Sequence, residues 1–185
     1  MEHHDALDDL RVIRQVMERT RRSIAIGGGG YFMIIWGVVW LVGFLGSQFL
    51  EGPIQGWLWL AVDALGVIAT LVVGFRLGSQ MRVRPGWRLG VFWLALIVYG
   101  ILWGWLLQPP DGMRGELFIV TVAMFGYVVM GLWLSSRIIA WVGIGVTVLA
   151  LAGYFLLPAY FAAWMALLGG GTLIGSGVYV SRRWR

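Results

Sequence analysis

This sequence of 185 residues contains no cysteine, and only 12% of its residues are charged. The absence of cysteine excludes disulfides, thiolate metal sites and cysteine nucleophiles. A soluble domain usually carries about 25% charged residues, so the chain has too few to cover a water-facing surface. Hydrophobic residues make up 59% of the chain, and its mean hydropathy is +0.81. The composition therefore predicts a protein whose solvent is the lipid bilayer.

Histidine is also scarce, since His3 and His4 are the only two and both lie close to the N-terminus. The apolar part of the chain therefore cannot form a bis-histidine haem site, an HExxH zinc site or a Ser-His-Asp triad. The carboxylates Glu51, Asp111 and Glu116 lie scattered between the apolar runs and lack the spacing of an acid–base pair. We therefore predict a protein that is not an enzyme, with no catalytic residue, metal or cofactor.

Six apolar runs are each long enough to cross a bilayer core of about 30 Å, which takes roughly 20 residues of helix. They cover residues 24–50, 57–75, 89–107, 117–134, 138–157 and 159–180. They predict an all-α integral membrane domain over residues 23–185 with six transmembrane helices. The lipid bilayer is accordingly the first predicted partner.

Lysine is absent, and all 14 basic residues are arginines. They gather at the ends of the apolar runs and form no continuous patch, so no nucleic-acid partner is predicted. With the N-terminus in the cytoplasm, every arginine except Arg114 falls on the cytoplasmic side, which is the positive-inside pattern. Abundant arginine, glycine and tryptophan without lysine is typical of GC-rich bacterial genomes. We therefore predict a multi-pass protein of the bacterial inner membrane with both termini cytoplasmic.

Residues 1–22 form a charged segment ahead of the first span. Residues 5–22 predict an amphipathic helix, because acids lead and arginines follow, as the helix dipole favours. Its apolar residues recur at steps of three and four, namely Leu7, Leu10, Ile13 and Met17. Two interpretations stay open, a helix on the inner membrane surface and a helix that docks on a protein partner.

The chain also repeats itself at an interval of 57 residues. This shift places Pro53 on Pro110, Trp36 on Trp93, Gly43 on Gly100 and Gly74 on Gly131. The segments VVGFRLGSQ and VVMGLWLSSR also correspond, and a looser third unit turns at Pro158 and ends with GVYVSRR. The repeat predicts three helical hairpins, each turning outside at a proline and returning to arginine.

These features resemble the HdeD-like short-repeat membrane proteins. The resemblance rests on IIWGVVWLVGFLG up to Pro53, on VYGILWGWLLQPP, and on AGYFLLP with IGSGVYVSRR, and it covers residues 21–185. It implies a six-span fold of three hairpins and a role in bacterial acid stress. It implies no catalytic residues.

Glycines are concentrated inside the spans. The pairs Gly86-xxx-Gly90, Gly100-xxx-Gly104 and Gly171-xxx-Gly175 predict close helix packing and offer faces for a homo-oligomer. For the sixth span the alternative is an unwound segment that exposes carbonyls to a ligand. No strand precedes Gly27–Gly30 and no Lys-Ser/Thr follows, so this run predicts a hinge and excludes a phosphate loop.

Asp63, Trp36, Trp40 and Trp93 are the candidate ligand-binding residues, because all four lie within predicted spans. A carboxylate in a span is costly and is often a proton or cation site. The structural alternative is that Asp63 hydrogen-bonds to Ser47, Gln48 or Gln108. For the tryptophans the alternative is packing in the core.

Two functions therefore stay open. The first is a non-catalytic bacterial inner-membrane protein, stress-related or acting as an interaction or accessory subunit. The second is a transporter or binding protein for a small apolar or cationic solute that uses Asp63 and the intramembrane tryptophans. Water access to Asp63 and continuity of the sixth span distinguish them.

The predicted orientation can be tested in this cysteine-free chain by single-cysteine labelling of intact cells. We expect Gln55→Cys and Gly112→Cys to react with an impermeant thiol reagent, because both positions lie outside. Gln80→Cys should react only after the cells are opened. Labelling of Gln80→Cys in intact cells would contradict the topology, since it would place four arginines on the outer side.

Overall fold

The computed structural model describes residues 29–78, 86–108 and 112–183. This part of the chain contains six helices long and apolar enough to cross a membrane. The first five are α1 (Gly29–Ser47), α2 (Pro53–Gly78), α3 (Gly86–Leu107), α4 (Gly112–Trp133) and α5 (Arg137–Leu156). The prediction of a helical, multi-pass membrane fold with six spans is confirmed, whereas the predicted amphipathic helix within residues 1–22 lies outside the described residues.

The sixth span, which we call α6, covers Pro158–Arg182 and changes its helix type along its length. It consists of a 3-10 turn (Pro158–Tyr160), an α-helical turn (Phe161–Trp164), a π-helical segment (Met165–Gly170) and an α-helix (Gly171–Arg183). The backbone stays right-handed helical at Trp164 and Gly171, the two residues that flank the π segment. The span is therefore continuous, and the alternative of an unwound segment is wrong.

Helices that follow each other along the chain mostly lie side by side. α1 packs on α2, α3 on α4, α4 on α5, α5 on α6, and α6 returns to α1. The α4–α5 and α1–α6 contacts are the most extensive. α2 and α3 are the exception, because in the described residues each packs extensively on one neighbour only. α1, α4, α5 and α6 thus form the centre of the bundle, with α2 and α3 at its edge.

Within the described ranges, the buried hydrophobic side chains all come from these four central helices. They include Met33 and Phe44 of α1, Met124 of α4, Val146 of α5, and Phe161 and Met165 of α6. Tight packing of this kind matters in lipid because the surrounding acyl chains are as apolar as the side chains, which leaves close contact as the main attraction between helices.

Facing glycines bring the backbones of α1 and α6 together at two points. A methyl group added at Gly37 would lie 3.0 Å from the carbonyl oxygen of Gly170, and one at Gly170 would lie 2.9 Å from that of Gly37. Gly30 and Gly177 are related in the same way, with 2.6 Å in each direction. From the first pair to the second, α1 advances seven residues, from Gly30 to Gly37, while α6 goes back seven, from Gly177 to Gly170. The two helices therefore run antiparallel and stay in register over two turns.

Two glycine predictions need correction. Gly171 and Gly175 have no atom of another helix near the position of an added methyl group, so the packing of α6 on α1 uses Gly170 and Gly177 instead. The predicted hinge at Gly27–Gly30 is wrong for its second half, because α1 begins at Gly29 and Gly30 is packed on α6. Gly27 and Gly28 lie outside the described residues.

α4 and α5 approach each other equally closely. An added methyl group at Gly131 would meet the backbone of Ala140, and one at Gly143 would lie 2.7 Å from the carbonyl oxygen of Met124. The connection between these helices is short and contains Ser135 with a φ of +52°. This tight turn keeps the end of α4 against the start of α5.

Two glycines on α5 provide a matched test of this packing. We expect Gly143→Ala to destabilise the protein by roughly 1–3 kcal/mol, because its methyl group would meet the backbone of α4. Gly145→Ala should be neutral or stabilise the protein by up to about 1 kcal/mol, since nothing lies near that position and alanine is the better helix former. Unfolding in detergent measures both, and equal effects of the two substitutions would contradict the α4–α5 interface.

Candidate functional site

A network of polar side chains lies at the end of the bundle where α1 connects to α2, with the Ser47 hydroxyl at its centre. Ser47 ends α1, and its Oγ accepts hydrogen bonds from the indole Nε1 of Trp59 (2.9 Å) and from Nε2 of Gln55 (3.0 Å). The same Gln55 amide donates to Oε1 of Glu116 on α4 at 2.9 Å. Glu116 also forms a hydrogen bond with Ser47. The network therefore joins the first hairpin to the second.

The directions of these bonds define the chemistry of the network. Both lone pairs of Ser47 Oγ accept, so its single proton is free to donate to Glu116. The two amide hydrogens of Gln55 are divided between Ser47 and Glu116. Trp59 and Gln55 thus donate to Ser47, while Gln55 and Ser47 donate to the half-buried Glu116 side chain. Since no second acid or base takes part in these bonds, the network fastens helices and offers no acid–base pair.

Gln48 connects the first hairpin to α6. Its Nε2 donates to the carbonyl oxygen of Ala159 (3.2 Å), and its Oε1 accepts from the backbone N–H of Ala163 (3.0 Å). The first N–H groups of a helix have no partner within the helix, so Gln48 caps the start of α6 from a neighbouring helix.

The second and third hairpins are joined at the same end by Arg114. Its Nε donates to the hydroxyl of Tyr154 on α5 at 3.1 Å. The Tyr154 ring in turn packs edge-on against Phe161 of α6, with 6.4 Å between the ring centres. Side-chain contacts at this end of the bundle thus connect all three hairpins.

Trp40 and Trp36, two of the predicted ligand-binding residues, pack inside the bundle. Trp40 is only 7% exposed and meets Phe44 edge-on, with 5.8 Å between the ring centres. Trp36 is partly buried against the core, and its ring reaches α2 at Gly66. Both rings fill space between α1 and its neighbours.

Trp93, the third predicted tryptophan, belongs to a different interface. It lies on α3 and packs edge-on against Tyr127 of α4, with 5.6 Å between the ring centres. Its ring also covers Gly126 of α4. The structure therefore brings Trp36 and Trp40 together on α1 but places Trp93 in the second hairpin.

Asp63, the fourth predicted residue, lies half-buried on α2. It follows Pro53 by ten residues, which is about 15 Å of helix, so it is deep in the span. Among the described residues its carboxylate makes no hydrogen bond. Ser47 and Gln48, which the sequence offers as partners for Asp63, bind Gln55, Trp59, Glu116 and the backbone of α6 instead.

Two open grooves on the bundle are lined by other residues. An open groove of about 450 Å³ lies beside Gly175, Val178, Tyr179 and Arg182. Another, of about 340 Å³, lies between α3 and α4 and is lined by apolar and aromatic side chains, among them Tyr99, Trp103, Phe118 and Phe125. Neither groove is lined by Asp63 or by the three candidate tryptophans.

The polar network is the feature that sequence reasoning missed. Glu116 was expected to be one of several scattered outer acids, yet it is the carboxylate on which the network converges. A usable signal is present in the sequence, since Ser47, Gln48 and Gln55 are polar residues on both sides of Pro53 within an otherwise apolar stretch. Nothing in the sequence indicates that these three residues bind α4 and α6.

Comparison with protein-family models, with curated proteins and with solved structures finds no match for this chain. The resemblance to HdeD-like proteins therefore stays a prediction from the spacing of glycine and proline. What can be said of function rests on the residues and contacts described above.

Proposed function

We propose that this chain is a non-catalytic protein of the bacterial inner membrane that acts through contacts with other proteins inside the bilayer, as an interaction or accessory subunit. The observation that carries this proposal is the exposure of α2 and α3. In the most apolar 18-residue window of each span, the share of residues buried inside the protein is 11% for α2 and zero for α3. The same share is 28–39% for the other four spans. Two of the six helices therefore have few or no fully buried residues and pack on the bundle along one side only.

Other predictions belong to the same proposal. The sequential order of the helices around the bundle supports the three-hairpin repeat, because hairpins α1–α2, α3–α4 and α5–α6 follow one another. The cytoplasmic location of both termini rests on the arginine pattern, and docking through residues 5–22 rests on the amphipathic pattern. The role in stress rests on the resemblance alone.

A photo-crosslinking amino acid placed on the outward faces tests the proposal in intact cells. Leu65 on α2 is 65% exposed, Leu94 on α3 is 62% exposed, and Val148 on α5 is a control at 59%. We expect discrete protein adducts from positions 65 and 94 but not from position 148, because partners are expected on α2 and α3. The proposal would be contradicted by positions 65 and 94 behaving like the control.

The second candidate function, transport or binding of a small solute, is favoured by one observation. Asp63 is a half-buried carboxylate deep in α2 that accepts no hydrogen bond among the described residues. An acid at this depth is costly in a membrane and commonly marks an ion or proton pathway. Against transport, the tryptophans that would line a site with Asp63 are divided between two interfaces and fill packed space.

Asp63→Asn separates the two functions. If Asp63 has a structural role, the substitution should change the free energy of unfolding by about 1 kcal/mol or less, because no hydrogen bond to the carboxylate is lost. Asp63→Leu should then be tolerated equally well. Thermal unfolding in detergent measures both variants. A folded Asp63→Asn protein that loses a pH-dependent ligand affinity present in the parent would establish transport instead.

A further inference from the structure

The groove of about 450 Å³ lies on the side of α6 that faces away from α1. Val178, Tyr179 and Arg182, which line it, follow its fourth lining residue, Gly175, by three, four and seven residues. The four residues therefore share one face of the helix. Gly177, on the opposite face, packs on the backbone of α1. The groove thus occupies the part of α6 that the contact with α1 leaves open.

The floor of this groove is formed where α6 lacks side chains. A methyl group added at Gly175, or at Gly171 one turn earlier, would have nothing within 4 Å. The spacing of these two glycines predicts close helix packing, yet neither of them packs on another helix. The missing side chains leave a shallow apolar channel on the surface of α6, which a flexible hydrocarbon chain can occupy.

This open face has the length and the polarity of one lipid leaflet. Arg182 follows Gly171 by eleven residues, which is about three turns and about 16 Å of helix. Each leaflet contributes about 15 Å of apolar core to a bilayer. The sixth span ends at Arg182, so the face is charged at the membrane surface and apolar towards the midplane. A phospholipid has the same order of polar and apolar parts.

The end of the bundle at Arg182 is positively charged. Among the described residues it carries one arginine near the end of each of four spans, namely Arg76, Arg88, Arg137 and Arg182. The described acids lie elsewhere, since Glu51 and Glu116 are at the opposite end and Asp63 is deep in α2. Clusters of arginine next to a membrane attract anionic headgroups. The charge therefore selects among the lipids that could enter the groove.

We propose that this groove binds one phospholipid with a net negative headgroup, in the leaflet at the arginine-rich end. Its phosphate contacts the guanidinium of Arg182, whose planar fork of N–H donors matches a phosphate. The ring of Tyr179, 44% exposed, lies beside it at the depth where tyrosine is favoured in membranes. One acyl chain runs over Gly175 and Gly171 towards the midplane. This site is separate from the protein contacts proposed for α2 and α3.

A lipid suits this face better than a helix from another protein does. Close helix packing in membranes uses small residues along the whole contact. Here only the half near the midplane is small, at Gly171 and Gly175, whereas Val178, Tyr179 and Arg182 fill the other half. A straight helix would be held away at that end, whereas an acyl chain can bend around the side chains.

Lipid binding to the full chain, purified in detergent, tests the proposal. Native mass spectrometry measures the affinity for the first bound lipid as dioleoyl phosphatidylglycerol or dioleoyl phosphatidylcholine is added. The acyl chains of the two lipids are identical, so only the headgroups differ. We expect phosphatidylglycerol to bind about tenfold or more tightly, because the second lipid carries a cation that the arginines repel. Inorganic phosphate at the same concentration should not compete, because it has no acyl chain.

Two variants separate the headgroup contact from the acyl contact. Arg182→Gln should weaken phosphatidylglycerol binding about tenfold, whereas Arg137→Gln removes the same charge at the same end but outside the groove and should have little effect. Gly175→Leu should weaken binding by a similar factor, because its side chain fills the groove. Gly145→Leu, at an equally open glycine of α5, is its control. Neither leucine should lower the unfolding temperature of the lipid-free protein.

Three results would overturn the proposal. Equal affinity of the parent for the two lipids would show that the groove does not select an anionic headgroup. Equal weakening by Arg182→Gln and Arg137→Gln would show attraction to the charged end as a whole. Phosphatidylglycerol binding that is unchanged in Gly175→Leu would place the acyl chain elsewhere. None of these results bears on the partners of α2 and α3, which crosslinking from positions 65 and 94 tests.

Discussion

The close approach of the α1 and α6 backbones at Gly30–Gly177 and Gly37–Gly170 is the contact on which the rest of the bundle depends. It joins the first span to the last and so closes the series of helices. Lipid supplies no hydrophobic force between apolar helices, which makes such close packing the main source of stability. The π-helical segment serves the same contact, because it ends at Gly170 and also places Gly169 beside the ring of Trp40.

Two kinds of interaction divide the work of holding the helices. Glycine contacts set the separation of α1 from α6 and of α4 from α5, whereas the polar network of Ser47, Gln55, Trp59 and Glu116 joins the first two hairpins at the end where α1 connects to α2. α2 contributes Gln55 and Trp59 to this network, whereas none of the four network residues comes from α3. The described residues thus form a closed central bundle with two helices at its edge.

The sequence predicts the six spans well because the length of an apolar run is a local property that the bilayer thickness decides. It predicts that glycines allow helices to pack closely, but it does not predict which glycines make the contacts. Gly171-xxx-Gly175 has the expected spacing, yet Gly170 and Gly177 make the contact. These two glycines are seven residues apart and share the face of α6 that meets α1, and spacing alone does not say which face meets a neighbour. Trp36, Trp40 and Trp93 show a related limit, since depth in a span does not reveal the neighbouring helix. The network at Glu116 depends on which hairpins meet, which no local pattern specifies.

A double-mutant cycle across the α1–α6 contact tests the central claim most directly. Gly37→Ala and Gly170→Ala each place a methyl group about 3 Å from the backbone of the other helix at the same point. Once one methyl group has forced the helices apart, the second should cost little. The account predicts that the loss of unfolding free energy in the double variant falls short of the sum of the single losses by about 1 kcal/mol or more. Single losses that add fully, or that are negligible, would contradict a backbone contact between Gly37 and Gly170.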